Sequence, residues 1–226
     1  MSHPFHALLH PDDAIGPIRE WAAAAPHHVE VLPCPPDAGQ RTLEALQVTT
    51  RSPLGALAYH TGGVLVDDGW LRVLGAGCDR LPRALDGWNG LETGTRRFDR
   101  GLLVGDDVLG GFFAWFDEPR SIHYFGPDSL QWEDLEVGYT DWLASMLSER
   151  LAPFYAALRW DGWEREVTDL RPDHAIHVSP PLVTRAEGSR SRRAVPVDEL
   201  WHLHMQLGRE LNGLPDGTTF RIHLGE

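Results

Sequence analysis

Apolar and polar positions alternate most regularly between Leu46 and Gly77, and the elements read there organise the rest of the chain. Ser52 suits a helix N-cap, Pro53 suits the first helical position, and Leu54, Leu57 and Ala58 recur at helical spacing. Gly62 and Gly63 then end that helix, because glycine accepts the left-handed conformation that helix ends favour. Val64–Val66 and Trp70–Leu74 read as two strands joined by a tight Asp67-Asp68-Gly69 turn. Upstream, Asp12 or Asp13 caps a helix reaching the mid-twenties, His28–Leu32 alternates as a strand, and Asp37 opens a helix toward Leu46. Residues 1–11 read as an irregular lead-in, and residues 75–100 as a long surface loop with at most one helical turn. Strands follow at Gly101–Asp107, Phe112–Phe116 and Ser121–Phe125, and Leu130–Leu135 supplies one more.

Beyond Gly138 the period lengthens. Trp142, Leu143, Met146 and Leu147 predict a helix over 139–150, a second begins near Pro153, and Trp160, Trp163 and Val167 mark a third. The proline- and arginine-rich stretch holding Arg185, Arg190, Arg192 and Arg193 reads as a loop, and 184–194 with 75–100 as the mobile parts. Val197–Asn212 is a closing amphipathic helix striped by Leu200, Leu203, Leu207 and Leu211. The pattern predicts one α+β domain over residues 1–226, with a mainly antiparallel sheet of about five to six strands covered by helices. Its core lies at about 43–150, with an N-terminal helix–strand addition (1–42) and a C-terminal helical addition (151–226).

Charge narrows the partners. Twenty basic and 33 acidic residues give a formal net charge of −13, which disfavours nucleic acid and anionic membrane and leaves room for a basic protein partner. Every one of the 20 basic residues is arginine. Two cysteines, Cys34 and Cys78, are too few for a disulfide framework or a structural zinc site. With neither a signal-peptide pattern nor a long apolar run, the expectation is a soluble cytoplasmic protein.

Candidate chemistry centres on acidic strand ends. Asp67-Asp68 and Asp106-Asp107, with His60 or His123 nearby, are the residues for a hard-cation or acid–base site. Neighbouring strand residues point to opposite faces, however, and aspartate in a turn has a structural role of its own. The 12 histidines show no metal-ligand spacing, no nucleophile motif occurs, and the glycine pairs form no phosphate loop. The expectation is therefore no cofactor and no metal. The aromatic clusters at 112–116 and 160–163 read as core, or in part as the lining of a ligand groove.

The blocks TRSPLGALAYHTGGVLVDDGWLRVLG, LLVGDDVLGGFFAWF, YFGPDSLQWEDL and GYTDWL resemble one bacterial family of unknown function. More remotely, the element order is similar to the SUKH superfamily, with Gly62-Gly63, Gly105-Asp106-Asp107, Gly110-Gly111 and Thr140–Leu143 at the matching places. That resemblance implies an α+β core and a role like the immunity proteins that bind toxins. Two functional expectations follow. The first is a non-catalytic protein-binding module whose acidic face, drawn from His60, Asp67, Asp68, Asp106, Asp107 and Glu133, docks a basic, toxin-like partner. The second is a small-molecule binder or hydrolytic enzyme built on the acidic turns and His60.

Overall fold

The computed structural model describes residues 2–185 and 188–212. Helices α1 (Phe5–Leu8) and α2 (Ile15–Ala24) lead into β1 (Val29–Pro33), followed by α3 (Ala38–Leu46) and α4 (Pro53–His60). A meander comes next: β2 (Thr61–Val66), β3 (Leu71–Leu74), α5 (Leu85–Asn89), β4 (Gly101–Asp107), β5 (Phe112–Phe116), β6 (Ile122–Phe125) and β7 (Trp132–Asp134). Helices α6 (Tyr139–Met146), α7 (Leu151–Tyr155) and α8 (Trp163–Thr168) precede a hairpin of β8 (His174–Ser179) and β9 (Ser191–Pro196), and α9 (Val197–Asn212) follows.

The fold is α+β. Strands β1 to β7 form one antiparallel sheet in sequence order, and β8–β9 form a second, two-stranded one. Its local logic follows the sequence closely around α4, where the Ser52 hydroxyl accepts from the Gly55 N–H and Pro53 fills the first turn. The helix does not end on a left-handed glycine, however. Thr61 is already extended, and the positive φ belongs to Gly63, inside β2. A Cβ there would lie 2.8 Å from the Val73 carbonyl oxygen, so close strand approach, not capping, requires glycine.

Register fixes what each face of the sheet presents. One row runs Leu65, Arg72, Asp106, Phe112, Phe125, Trp132 across successive strands; the adjacent row runs Val64, Val73, Gly105, Phe113, Tyr124, Glu133 on the opposite face. Trp142 and Phe154 pack on Phe113 of the second row. Trp201 of α9 packs edge-on against Phe112 of the first.

Besides the helix end, and a main sheet of seven strands where about five to six were expected, three expectations are corrected. The lead-in contains α1, with Leu8 buried. Half of the 75–100 segment belongs to the core, since Leu81, Leu85 and Trp88 are buried. The arginine-rich loop is in part strand β9, so the C-terminal addition is not purely helical; the described part of 184–194 pairs Arg192 and Arg193 with Val178 and His177, while 186 and 187 lie outside the described residues. Among the described residues no helix is long and apolar enough to cross a membrane.

Helix α9 is seated by two close contacts. Gly208 passes so near the β6–β7 turn that a Cβ would lie 2.8 Å from the Leu130 carbonyl oxygen. His204, on the buried side, donates from Nδ1 to the Gly110 carbonyl at 2.9 Å. Burial pushes the His204 imidazole down to about 4, against the smaller opposing effect of the Gly110 carbonyl. The folded pKa lies below the unfolded one, so the unfolded chain takes up the extra proton, and stability present above about pH 6.5 is lost as pH falls toward 4. The expected loss over that window is about 3 kcal/mol. Urea denaturation at pH 7 and pH 4.5 checks it: His204→Gln should have the shallower acid dependence, and parallel curves would contradict it.

Candidate functional site

The six sequence-derived residues do not converge. His60, at the end of α4, bonds from Nε2 to Asp13 at 2.8 Å. Asp67 and Asp68 lie at the opposite end of β2, where Asp67 pairs with Arg159 and Asp68 with His28 Nδ1 at 2.8 Å. Glu133 stands exposed on β7, across the sheet, opposite Tyr124. Each of the turn aspartates and His60 already has a partner.

Asp106 and Asp107 are interior, which removes them from any acidic surface; both are 0% exposed. Their strand ends beneath other elements on both faces, a tertiary arrangement that a local acidic turn does not reveal. On one face Asp106 receives Arg72 Nη1 at 3.2 Å and Arg83 Nη2 at 3.2 Å, and Arg83 Nη1 makes a further close bond. The same guanidiniums donate to the Pro172 and His174 carbonyls, the Arg83–Pro172 bond measuring 2.9 Å, so the group ties β3, β4 and the loop before α5 to the entry of β8. Burial lowers the Arg72 pKa, and the Asp106 charge opposes that shift. On the other face Asp107 accepts from Tyr124 Oη at 2.7 Å and from the Leu109 and Gly111 N–H groups at 2.9 Å each. Burial raises its pKa despite those donors. Both aspartates hold the fold together.

A different region has the geometry of a site. An open cleft of about 1000 Å³ lies on the Trp132 face of the sheet, between the loop after α5, the β6–β7 turn and α9. Its walls are aromatic: Phe98 and Trp132 sit 4.9 Å apart between centroids, Trp201 meets Phe98 edge-on, and Trp88 closes one end. Its rim is cationic. Arg97 is spent on structure, lying 3.9 Å over the Trp88 ring and donating to Asp198 at 2.6 Å. Arg96 uses one N–H on the Gly101 carbonyl, and Arg100 lies over the Phe116 and Phe98 rings. Among the described residues, Arg96, Arg100 and Arg209 pair with no carboxylate. The described C-terminal stretch ends at Asn212, on the cleft's rim.

The sequence reading missed this cleft. Its groove expectation rested on residues 112–116 and 160–163, whereas Phe98 comes from the segment read as loop. The available signal was Arg96-Arg97-Phe98-Asp99-Arg100, an aromatic set among arginines in an acidic chain. Among the described residues no group of three or more His, Cys, Asp or Glu side chains is arranged to hold a metal ion.

Known proteins carry the same pattern over most of the chain. A family described as "Protein of unknown function DUF2625" matches residues 6–200. A putative uncharacterized protein YbfG of Escherichia coli K12 is 38% identical over 210 residues, 88% of this chain and 94% of that protein. An uncharacterized protein of Haemophilus influenzae is 35% identical over 189 residues, 80% of each chain. No solved structure matches. The chain belongs to the DUF2625 family.

The contrast between interior and surface carboxylates is measurable. Asp106→Asn leaves two buried guanidiniums without a counter-charge and should cost about 3–5 kcal/mol in urea denaturation. Glu133→Gln, on an exposed strand position, should stay within about 0.5 kcal/mol of the parent. Equal effects at the two sites would contradict their placement.

Proposed function

We propose that this DUF2625 member is a non-catalytic binding protein that takes an anionic ligand in the cleft between the 91–100 loop, the β6–β7 turn and α9. The observation that carries the reading is the set of three guanidiniums, Arg96, Arg100 and Arg209, that have no carboxylate partner among the described residues, beside aromatic walls in a chain of net charge −13. In a chain with 33 acidic residues, an arginine rim of this kind makes a local positive field within an otherwise negative one. Guanidinium donors match carboxylate and phosphate oxygens in bidentate geometry, and low-dielectric aromatic walls strengthen that attraction.

A second reading keeps the basic protein partner and moves its contact to the β7 edge. Glu133, Asp134 and Glu136 are exposed there, near the exposed Asp117 and Glu118 of the β5–β6 turn. A SUKH-like immunity role would use such an edge. Asp106 and Asp107, being interior, contribute nothing to it.

Thermal unfolding at constant ionic strength separates the two. Pyrophosphate at a hundredfold excess over its Kd should raise Tm by about 5–10 °C. The triple variant Arg96→Gln, Arg100→Gln, Arg209→Gln should lose that rise while keeping its circular dichroism. A polycationic peptide raising Tm, with pyrophosphate inert, would favour the acidic edge and overturn the cleft.

A further inference from the structure

The cleft's charge and its walls together specify more than an anion. We infer that its ligand is a nucleoside phosphate, with the base against the Trp132 and Phe98 rings and the phosphates on the arginine rim; this rests on the anion-binding reading of the same cleft.

The charge balance comes first. Three guanidiniums without carboxylate partners among the described residues face a cleft whose lining holds one carboxylate, Asp99. The surplus of positive charge suits a ligand carrying about two or three negative charges, as a nucleoside mono- or diphosphate does, better than a single carboxylate. The walls come next. Phe98 and Trp132 are half-buried, with ring planes 34° apart, and both line the cleft, so part of each ring offers apolar surface to a ligand instead of closing into the core. Arg100 already lies over the Phe98 and Phe116 rings, which places cationic charge beside that aromatic surface. Amide groups complete the set. Gln131 and Asn212 are exposed on the lining, and among the described residues their side chains make no hydrogen bond, leaving both donors and acceptors for a ring edge.

Size and charge also separate a mononucleotide from a nucleic acid. A volume of about 1000 Å³ is in the range of small-ligand sites. The net charge of −13 repels an extended polyanion. A single nucleotide inside the cleft feels chiefly the charges within a Debye length of about 8 Å.

The test is calorimetric titration of the full chain at about 0.15 M salt, where the Debye length is about 8 Å, with ADP, GDP, CDP and UDP, beside pyrophosphate and the four nucleosides. At least one diphosphate should bind about tenfold more tightly than both pyrophosphate and its own nucleoside. Trp132→Leu, which keeps an apolar side chain but removes the aromatic plane, should weaken that nucleotide by about tenfold and leave pyrophosphate unchanged. The double variant Arg96→Gln, Arg209→Gln should weaken nucleotide and pyrophosphate together, and the nucleoside not at all. Pyrophosphate binding as tightly as every nucleotide would overturn the nucleoside assignment and leave the anion site standing. Absence of binding by all of these ligands at millimolar concentration would overturn both.

Discussion

Asp106 is a carboxylate with no access to water, held between Arg72 and Arg83 on the same face of the sheet as Trp132. An ion group in that position needs close polar partners, because an unmatched buried charge costs several kcal/mol. The pairing is met only when four segments arrive together: β3 brings Arg72, β4 brings Asp106, the loop before α5 brings Arg83, and the start of β8 brings the Pro172 and His174 carbonyls. The C-terminal hairpin and the loop before α5 are therefore set against the meander by polar geometry as well as by apolar contact. Such a group specifies where elements sit more strongly than it adds stability, since a well-packed apolar substitute is often as stable.

The cleft follows from that placement. Arg83 also lies 5.2 Å from the centre of the Trp88 ring, so the ion group touches the helix whose end forms one cleft wall. From Asp106 the register continues through Phe112 and Phe125 to Trp132, and α9 crosses the same row with Trp201 on Phe112. Gly208 lets that helix approach the β6–β7 turn, which sets the opposite wall. Three elements distant in sequence thus present their aromatic residues to one space, while Arg96, Arg100 and Arg209 reach its rim from a loop and a helix end.

What was legible in the sequence was whatever local periodicity controls. Ser52, Pro53 and the Asp67-Asp68-Gly69 turn announce α4 and the first hairpin, and Asp67 and Asp68 both adopt the left-handed conformation that the tight turn needs. The start of α9 at Val197 is equally plain from spacing, although its buried positions, Val197, Leu200, Trp201, His204 and Gly208, are offset from the leucine stripe. The β8–β9 hairpin was hidden because Pro180, Pro181 and the neighbouring arginines carry loop chemistry, and its exposed positions include Arg192 and Arg193. Burial of Asp106 involves the Pro172 and His174 segment, well downstream, and Asp107 is closed over by Tyr124 of β6, so neither is within reach of a local pattern. The cleft was concealed for a similar reason, since Phe98, Trp132 and Trp201 meet only through tertiary packing.

The most direct measurement is an experimental structure of the full chain with its tightest-binding nucleoside diphosphate. Phosphate oxygens are expected at about 3 Å from guanidinium nitrogens of Arg96, Arg100 or Arg209, with the base lying against Trp132 or Phe98. A nucleotide bound elsewhere on the surface, or a cleft filled by the chain's own residues 213–226 with the nucleotide excluded, would contradict it.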